Sequence, residues 1–319
     1  MILMDSYYLG IDTSAYTTSI AVLNEEGKII IDLRRTLKVK KGSLGLRQQE
    51  AVFQHINNLP EMFNYIANEI DLNKVNTVSA SVKPRNVVGS YMPVFKVAQG
   101  HAFILARALN ADYKEFSHQD GHIAAGILNC EIQQLEKFLA LHISGGTTEL
   151  LLVENKKDVF SVEQIGGTLD ISAGQLIDRA GVELGLPFPC GPYLDELSVS
   201  GSFVEKNIPI STNKTWINFS GPETFFKRII KQHTDKPENI ALTLFDCIAK
   251  SLSSIIKYAI KVYEINNILI IGGVASNSYI REKLENDIVN KGIGKLFFPN
   301  KNFCTDNAIG IAYLGLIKY

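Results

Sequence analysis

Cysteine is scarce in this chain, and Cys130, Cys190, Cys247 and Cys304 stand far apart with no C-x-x-C pair. That spacing argues against a zinc ribbon or a disulfide framework and for reduced thiols. Tryptophan occurs once, at Trp216, and the tyrosines are scattered, so no stacking platform for nucleic-acid bases is recognisable. An excess of one charge sign is also missing. A net charge of −1 means that a polyanion, if bound, must be met by a local patch. The run Arg34, Arg35, Lys38, Lys40, Lys41 and Arg47 is one candidate patch, although such runs are normally solvated loops. No uninterrupted apolar run approaches the roughly 20 residues of a membrane span. Residues 1–8 contain Asp5 and lack a basic region ahead of an apolar core, so no signal peptide is expected. No membrane association and a cytoplasmic location are therefore expected. Low-complexity segments and long linkers are absent as well.

What remains is an ordinary globular composition, 46% apolar and 20% charged. The 319 residues are long for one core and suit two domains or a duplicated one. A duplication is visible. Tyr7 to Asp12 reads as a strand, followed by the polar turn Thr13 to Thr18, a strand from Ser19 to Leu23, a turn at Asn24 to Gly27 and a strand from Lys28 to Leu33. A shift of 130 residues repeats the plan: Phe138 to Ile143, the loop Ser144-Gly145-Gly146-Thr147-Thr148, Glu149 to Val153, a turn at 155–158, and a strand over 159–164.

Helical patterns lie between and after these meanders. Gln48 to Ile70 carries apolar Val52, Ile56, Leu59 and Phe63, with Pro60 as a possible bend. Val75 to Val82 is a strand, Lys83 to Gly89 a loop, and Val94 to Leu109 a helix. Gly174 to Leu184 and the amphipathic Asn239 to Tyr263 are helices, separated by the turn-rich stretch Gly185 to Pro192. Asn267 to Ile271 is a buried strand ending at Gly272-Gly273, with a helix from Ser278. Strands alternating with helices in both halves predict an α/β fold with mixed sheets.

Three places carry chemistry. Glycine- and hydroxyl-rich loops at Thr13-Ser14, Ser144 to Thr148 and Gly272 to Asn277 gather backbone N–H groups that suit an anion; hairpin turns use the same residues for geometry alone. Asp12, at a strand end, is placed to orient water or a metal near a phosphate. In Ser117-His118-Gln119-Asp120-Gly121-His122, a helix opening at Ser117 would put His118 and His122 on one face with Cβ atoms roughly 5–6 Å apart. The same stretch also reads as a capped helix start with two surface histidines. Gln119 stands where a zinc protease needs its glutamate, which excludes that chemistry.

With these motifs in view the chain resembles the actin/Hsp70/sugar-kinase superfold, and more closely the tRNA threonylcarbamoyladenosine transferase family. The resemblance covers nearly the whole chain. It rests on Gly10-Ile11-Asp12-Thr13-Ser14, His118-Gln119-Asp120-Gly121-His122, Ile143-Ser144-Gly145-Gly146 and Gly167-Thr168-Leu169-Asp170. Leu176-Ile177-Asp178, Leu186 to Pro192, Asn218 to Gly221, Gly272 to Asn277 and Cys304 to Ala308 extend it. It implies two duplicated actin/Hsp70/sugar-kinase-like halves with mixed sheets flanked by helices and a nucleotide cleft between them. The halves are expected at residues 1–115 and 116–305, with a closing C-terminal helix at 306–319.

Carried over residue by residue, the resemblance implies iron or zinc held by His118, His122 and Asp306, with Asp12 acting beside them. It implies a nucleotide or substrate site at Ser14, His142, Ile143, Ser144, Gly145, Gly146, Asp178, Gly191, Asp195, Gly273 and Asn277. The expected ligand is an ATP/AMP-type nucleotide or threonylcarbamoyl-AMP, whose acyl group passes to the adenine beside the anticodon of tRNA. Expected partners are tRNA, the adenylate-forming enzyme that supplies the acyl donor, and a further family-member protein. Four stretches depart from the family pattern: Asp12 to Thr18 has lost two acids, Lys83-Pro84-Arg85 replaces Gly-Pro-Gly, Thr147 replaces histidine, and Pro222-Glu223 replaces Leu-Lys. These departures open a second reading, a non-catalytic nucleotide-binding paralogue that regulates or stabilises a true member. A sugar kinase is a third option with no use for the histidine pair.

Overall fold

The structure, a computed structural model, describes residues 6–39, 46–128, 130–156, 160–204 and 208–317. Lys40 and Lys41 of the basic run lie outside the described residues. The chain forms two compact units. The first runs to Gln133 and takes in Lys156, Phe160 and the stretch from Thr305 onward; the second comprises Gln134–Asn155 and Ser161–Cys304. The expected boundary at 115/116 thus falls inside the first unit.

The first unit opens with β1 (Tyr7–Thr13), β2 (Thr17–Asn24) and β3 (Ile29–Thr36), an antiparallel meander. Its second turn is set by the Asn24 side chain, which accepts from the Glu26 and Lys28 amides, with Gly27 at φ 78°. Then come α1 (Gln48–Glu69), β4 (Val75–Lys83), α2 (Phe95–Leu109), β5 (Asp112–Ser117) and α3 (His118–Ile127). The sheet order is β3-β2-β1-β4-β5, and β4 and β5 run parallel to β1 because helices carry each return. Leu9, Ile11, Ile20, Val22 and Val78 build the core against Leu59, Met62 and Ile66 of α1 and Ala98, Ala102 and Ala106 of α2.

Two sequence expectations need correction here. The buried face of α1 is Ala51, His55, Leu59, Met62 and Ile66, while Ile56 is exposed. The apolar pattern missed this phase because a histidine sits on the inner face, held there by Thr18 and the Ser14 carbonyl. The helix runs through Pro60, and the missing N–H is tolerated on an element whose Ile56 carbonyl belongs to an exposed residue. Strand β5 was not read from the sequence because Asp112-Tyr113-Lys114-Glu115 is polar and sits at the sheet edge.

The second unit repeats the plan with β6 (Lys137–Ile143), β7 (Thr148–Asn155) and β8 (Phe160–Thr168). It continues through α4 (Ala173–Glu183), α5 (Gly191–Ser198), β9 (Ser211–Asn213), β10 (Trp216–Asn218), α6 (Ser220–Lys231) and α7 (Pro237–Tyr263). The last part is β11 (Asn267–Ile271), α8 (Ser278–Leu284), β12 (Lys295–Phe297) and α9 (Lys301–Cys304). The sheet order is β12-β11-β6-β7-β8-β10-β9. Its run β8-β7-β6-β11-β12 has the order of the first sheet, and a shift of 130 residues lays β1 on β6 end to end. The loops match too: the Ser14 amide donates to the Thr17 carbonyl at 3.2 Å, and the Ser144 amide donates to the Thr147 carbonyl at 2.8 Å.

Helix α7 is long and apolar enough to cross a membrane, but 78% of that apolar stretch is buried inside the protein. Ile240, Leu244, Ile248, Leu252 and Ile255 lie in the second unit's core with Phe219, Phe226 and Ile270. Each such fully buried side chain contributes about 1.5–3 kcal/mol relative to exposure. The turn-rich stretch 185–192 ends inside a helix, since Cys190 caps α5 and Pro192 occupies its first turn, where no N–H is needed. Cys130, Cys190, Cys247 and Cys304 form no disulfide.

The chain ends in the first unit with α10 (Ile309–Ile317). This helix starts three residues later than expected. Asp306 lies in the preceding turn, and the Asn307 side chain accepts from the Ile309 amide at 3.0 Å. Glycines let α10 press close. A methyl group on Gly310 would overlap the Gly121 carbonyl of α3, and one on Gly10 would overlap the Ala312 amide.

Candidate metal centre and nucleotide loops

Helix α3 begins at His118 because Ser117 is its N-cap. The Ser117 hydroxyl accepts from the Asp120 amide at 3.1 Å and donates to the Asp120 carboxylate at 2.7 Å, and that carboxylate also accepts from the Ser117 amide. Capping thus fixes where the first turn starts and sets His118 and His122 on one face. Both readings of this stretch hold at once, except that the histidines are not on the surface. His122 is buried and His118 nearly so.

The two imidazoles point their Nε2 atoms at one another, 3.1 Å apart. The Asp306 Oδ1 stands 3.3 Å from the Nε2 of His122 and 3.6 Å from that of His118. Three donor atoms from two distant parts of the chain form a small triangle, drawn together by the contact of Gly310 with Gly121. The turn carrying Asp306 is tethered through Thr305, whose hydroxyl accepts from the Arg34 guanidinium of β3 at 2.9 Å.

Behind the triangle, Asp12 Oδ1 lies 2.9 Å from His118 Nδ1 and also accepts from the Ser81 hydroxyl. Asp12 Oδ2 is buried without a hydrogen-bond partner among the described residues. Ser14 donates its hydroxyl to Asp306 Oδ2 at 2.7 Å. Burial disfavours charge on His118, but Asp12 and Asp306 outweigh it and raise its pKa to about 10. Burial likewise opposes charge on Asp306, yet His118 and His122 hold its carboxyl well below the usual range.

The donor set fits a divalent ion. Ligand bonds of about 2.0–2.1 Å at tetrahedral angles put donor atoms roughly 3.3 Å apart, and the three separations bracket that value. Charge agrees as well. Carboxyl groups face the site from two sides, Asp306 partly buried and Asp12 fully buried behind His118, a setting that suits a cation. Two imidazoles with one carboxylate suit zinc and iron alike.

In the second unit the loop after β6 is held from both sides. The Ser144 hydroxyl accepts from the Thr147 amide at 3.1 Å, and Ser172 donates to the Gly145 carbonyl at 2.9 Å. Gly174 of α4 lies so close to Ser144 and Gly145 that a methyl group there would collide with both. Gly145 and Gly146 are exposed with open space beside their Cα atoms. His142 and Ile143 are buried beneath, where Gly272, at φ 96°, packs on the Ile143 carbonyl and the His142 ring, leaving Gly273 half-buried at the next turn.

The remaining expected nucleotide residues fall into two local clusters. Asp178 accepts from the Cys190 amide at 2.8 Å, which fixes the start of α5 and hence Gly191; burial raises the Asp178 carboxyl. Asp195 accepts from the Asn277 side chain at 2.9 Å, while Asn277 caps α8 by accepting from the Ile280 amide. Ser14 belongs to the first unit, where its hydroxyl donates to Asp306.

Sequence reasoning gave no role to three residues that hold these sites. His55 bridges the Thr18 hydroxyl and the Ser14 carbonyl, and burial lowers its pKa. Ser81 supports Asp12. Asp170 accepts from the Ile171, Phe219 and Ser220 amides at 2.7, 2.8 and 3.0 Å. His55 left a signal, a histidine within an apolar helix face, and Asp170 stood in the motif Gly167-Thr168-Leu169-Asp170.

Two sheets of matching strand order, each with a Ser-containing loop after its first strand, define a protein of the actin/Hsp70/sugar-kinase fold. Solved structures carry the same architecture. The (R)-2-hydroxyglutaryl-CoA dehydratase component A of Acidaminococcus fermentans is similar at TM-score 0.57 with 16% identity, covering 98% of each chain. A ROK family glucokinase from Streptomyces griseus is similar at 0.53 with 10% identity, covering 97% of this chain and 98% of that one. Residues 30–313 match the tRNA N6-adenosine threonylcarbamoyltransferase family, and the chain belongs to it. A relative of that name from Neorickettsia sennetsu is 30% identical, covering 97% of this chain and 92% of the relative.

Proposed function

We propose that this protein transfers a threonylcarbamoyl group from threonylcarbamoyl-AMP to the exocyclic amine of the adenine beside the anticodon in tRNA. The observation that carries the reading is the convergence of His118, His122 and Asp306 in a chain of this family. In the reaction the amine nitrogen bonds to the carbamoyl carbon, the bond from that carbon to the phosphate oxygen breaks, the amine loses a proton and AMP leaves. A divalent ion held by His118, His122 and Asp306 would supply Lewis acidity.

The chain's own groups do the rest. The amides of the exposed Gly145 and Gly146 suit the phosphate, since bare glycines let an anion approach the backbone. Asp178, Asp195 and Asn277 act on the nucleotide by holding the α5 and α8 starts in place. The adenylate-forming enzyme that makes the acyl donor is a functional partner, and four free thiols suit a cytoplasmic setting.

One observation favours the non-catalytic paralogue. Glu223, where the family pattern has lysine, is bound by Arg179 at 3.0 Å and Lys227 at 2.6 Å, so the changed charge is settled into a local network. The two readings separate in one assay: purified protein with the adenylate-forming enzyme, ATP, threonine, bicarbonate and tRNA, read by nucleoside mass analysis. Threonylcarbamoyladenosine should form, and His122→Ala should abolish it. No product from a protein that binds AMP and metal would overturn the transferase reading in favour of the paralogue.

A further inference from the structure

We propose that Asp12 and Ser14 are positioning residues of the metal centre, each holding one ligand from behind; this rests on the metal reading above. Both sit at the end of β1 and the loop after it, and they reach the two ligands that come from different parts of the chain. Asp12 Oδ1 meets His118 at Nδ1, 2.9 Å away, the ring nitrogen opposite the one facing His122 and Asp306. A carboxylate held against Nδ1 fixes the ring so that Nε2 faces the site, and makes that nitrogen a stronger donor to an ion. Ser14 does the corresponding job for Asp306. Its hydroxyl donates to Oδ2 at 2.7 Å and so turns Oδ1 toward the two Nε2 atoms.

The loop is itself held too firmly to be an adaptable contact. The Thr13 hydroxyl donates to the Val94 carbonyl at 2.8 Å and accepts from the Ala98 amide at 3.1 Å. The Ser14 carbonyl meets His55 Nε2 at 2.9 Å, and the Ser14 amide closes the turn on Thr17. Asp12 and Ser14 are themselves buried. Asp12 Oδ2 is buried without a hydrogen-bond partner among the described residues, a cost that a nearby cation would relieve. The Ser14 hydroxyl, which the family pattern assigns to the nucleotide, donates here to an Asp306 oxygen, while that of its counterpart Ser144 accepts from the Thr147 amide.

The test is zinc competition against a chromophoric chelator, with Co²⁺ absorption spectra reporting ligand geometry. It compares the full chain with Asp12→Ala, Asp12→Asn and Ser14→Ala, and thermal melts of the metal-free proteins check folding. Removing an outer partner should weaken zinc binding about 10–100-fold. Asp12→Ala and Ser14→Ala should both do so and shift the Co²⁺ bands, while Asp12→Asn, which keeps an acceptor oxygen for Nδ1, recovers part of the affinity. If Asp12→Ala does not fold, Ser14→Ala, which removes one oxygen atom, decides the matter. Wild-type zinc affinity and an unchanged Co²⁺ spectrum in the folded variants would overturn the proposal. Failure of the wild-type chain to bind zinc would instead remove the metal reading on which it stands.

Discussion

At the scale of single residues, polar side chains fix where the loops lie, and Asp170 shows how. Three backbone N–H groups converge on its carboxylate, from its own loop after β8 and from the start of α6. Partial burial alone would raise its pKa, but hydrogen bonds from Ser220, Phe219 and Ile171 prevail and hold it well below the ordinary 3.8. The sign of the pH effect follows. A depressed carboxyl contributes stability above its unfolded pKa and loses it as pH falls toward the folded one. Asp170→Asn should therefore lower the thermal midpoint at pH 7 by a few degrees, given about 1–2 kcal/mol for charged hydrogen bonds at a solvent-exposed site. The gap from the wild type should shrink as pH drops below about 4. A gap constant from pH 7 to pH 3 would mean that the charge is not what holds the loop. The metal triangle was legible at this scale only in part. Spacing paired His118 with His122, whereas Asp306, 184 residues beyond His122, came from family resemblance, since nothing local in the sequence joins them.

At the scale of elements, the meanders were readable because apolar strands and turn residues recur at a constant offset, and the long helices because their periodicity outlasts noise. Short or polar pieces were not. β9, β10 and β12 are three residues each, too few for alternation to register, and β5 is an edge strand of mostly polar residues. The face of α1 was misread because His55 is buried by hydrogen bonds that a hydrophobicity pattern cannot contain. Close contact of α3 with α10 was equally hidden, since a glycine in a helix shows its purpose only when a second backbone lies against it. Two substitutions separate these cases. Gly310→Ala must push α10 off the Gly121 carbonyl and should cost about 1–3 kcal/mol, with weakened zinc binding because Asp306 moves with the helix. Gly100→Ala, exposed in α2 with open space around it, should stabilise by about 0.4–1 kcal/mol and leave zinc binding unchanged. Denaturant melts and zinc titrations check both, and a neutral Gly310→Ala would refute the close-contact account.

At the scale of the whole molecule, the proposed function would give the two copies of the duplication different tasks. Each unit has its own sheet and core, one carrying the metal triangle and the other the Ser144 loop. The two copies of the strand-end loop have diverged in what their serines do. The Ser14 hydroxyl donates to Asp306, and that of Ser144 accepts from the Thr147 amide of its own loop. Each ligand should therefore stabilise its own unit first. Linkage gives about 2.7 kcal/mol at a free concentration one hundred times Kd, enough to slow local opening roughly a hundredfold. Hydrogen exchange read by mass spectrometry should show zinc protecting α3, the end of β1 and the turn before α10. AMP should protect the loop after β6 and the first turns of α4 and α5. Chelation should reverse the first pattern and leave the second intact. If AMP instead protected the Thr13-Ser14 loop, the division of labour between the copies would be wrong, and Ser14 would return to the nucleotide site that the family pattern expected for it.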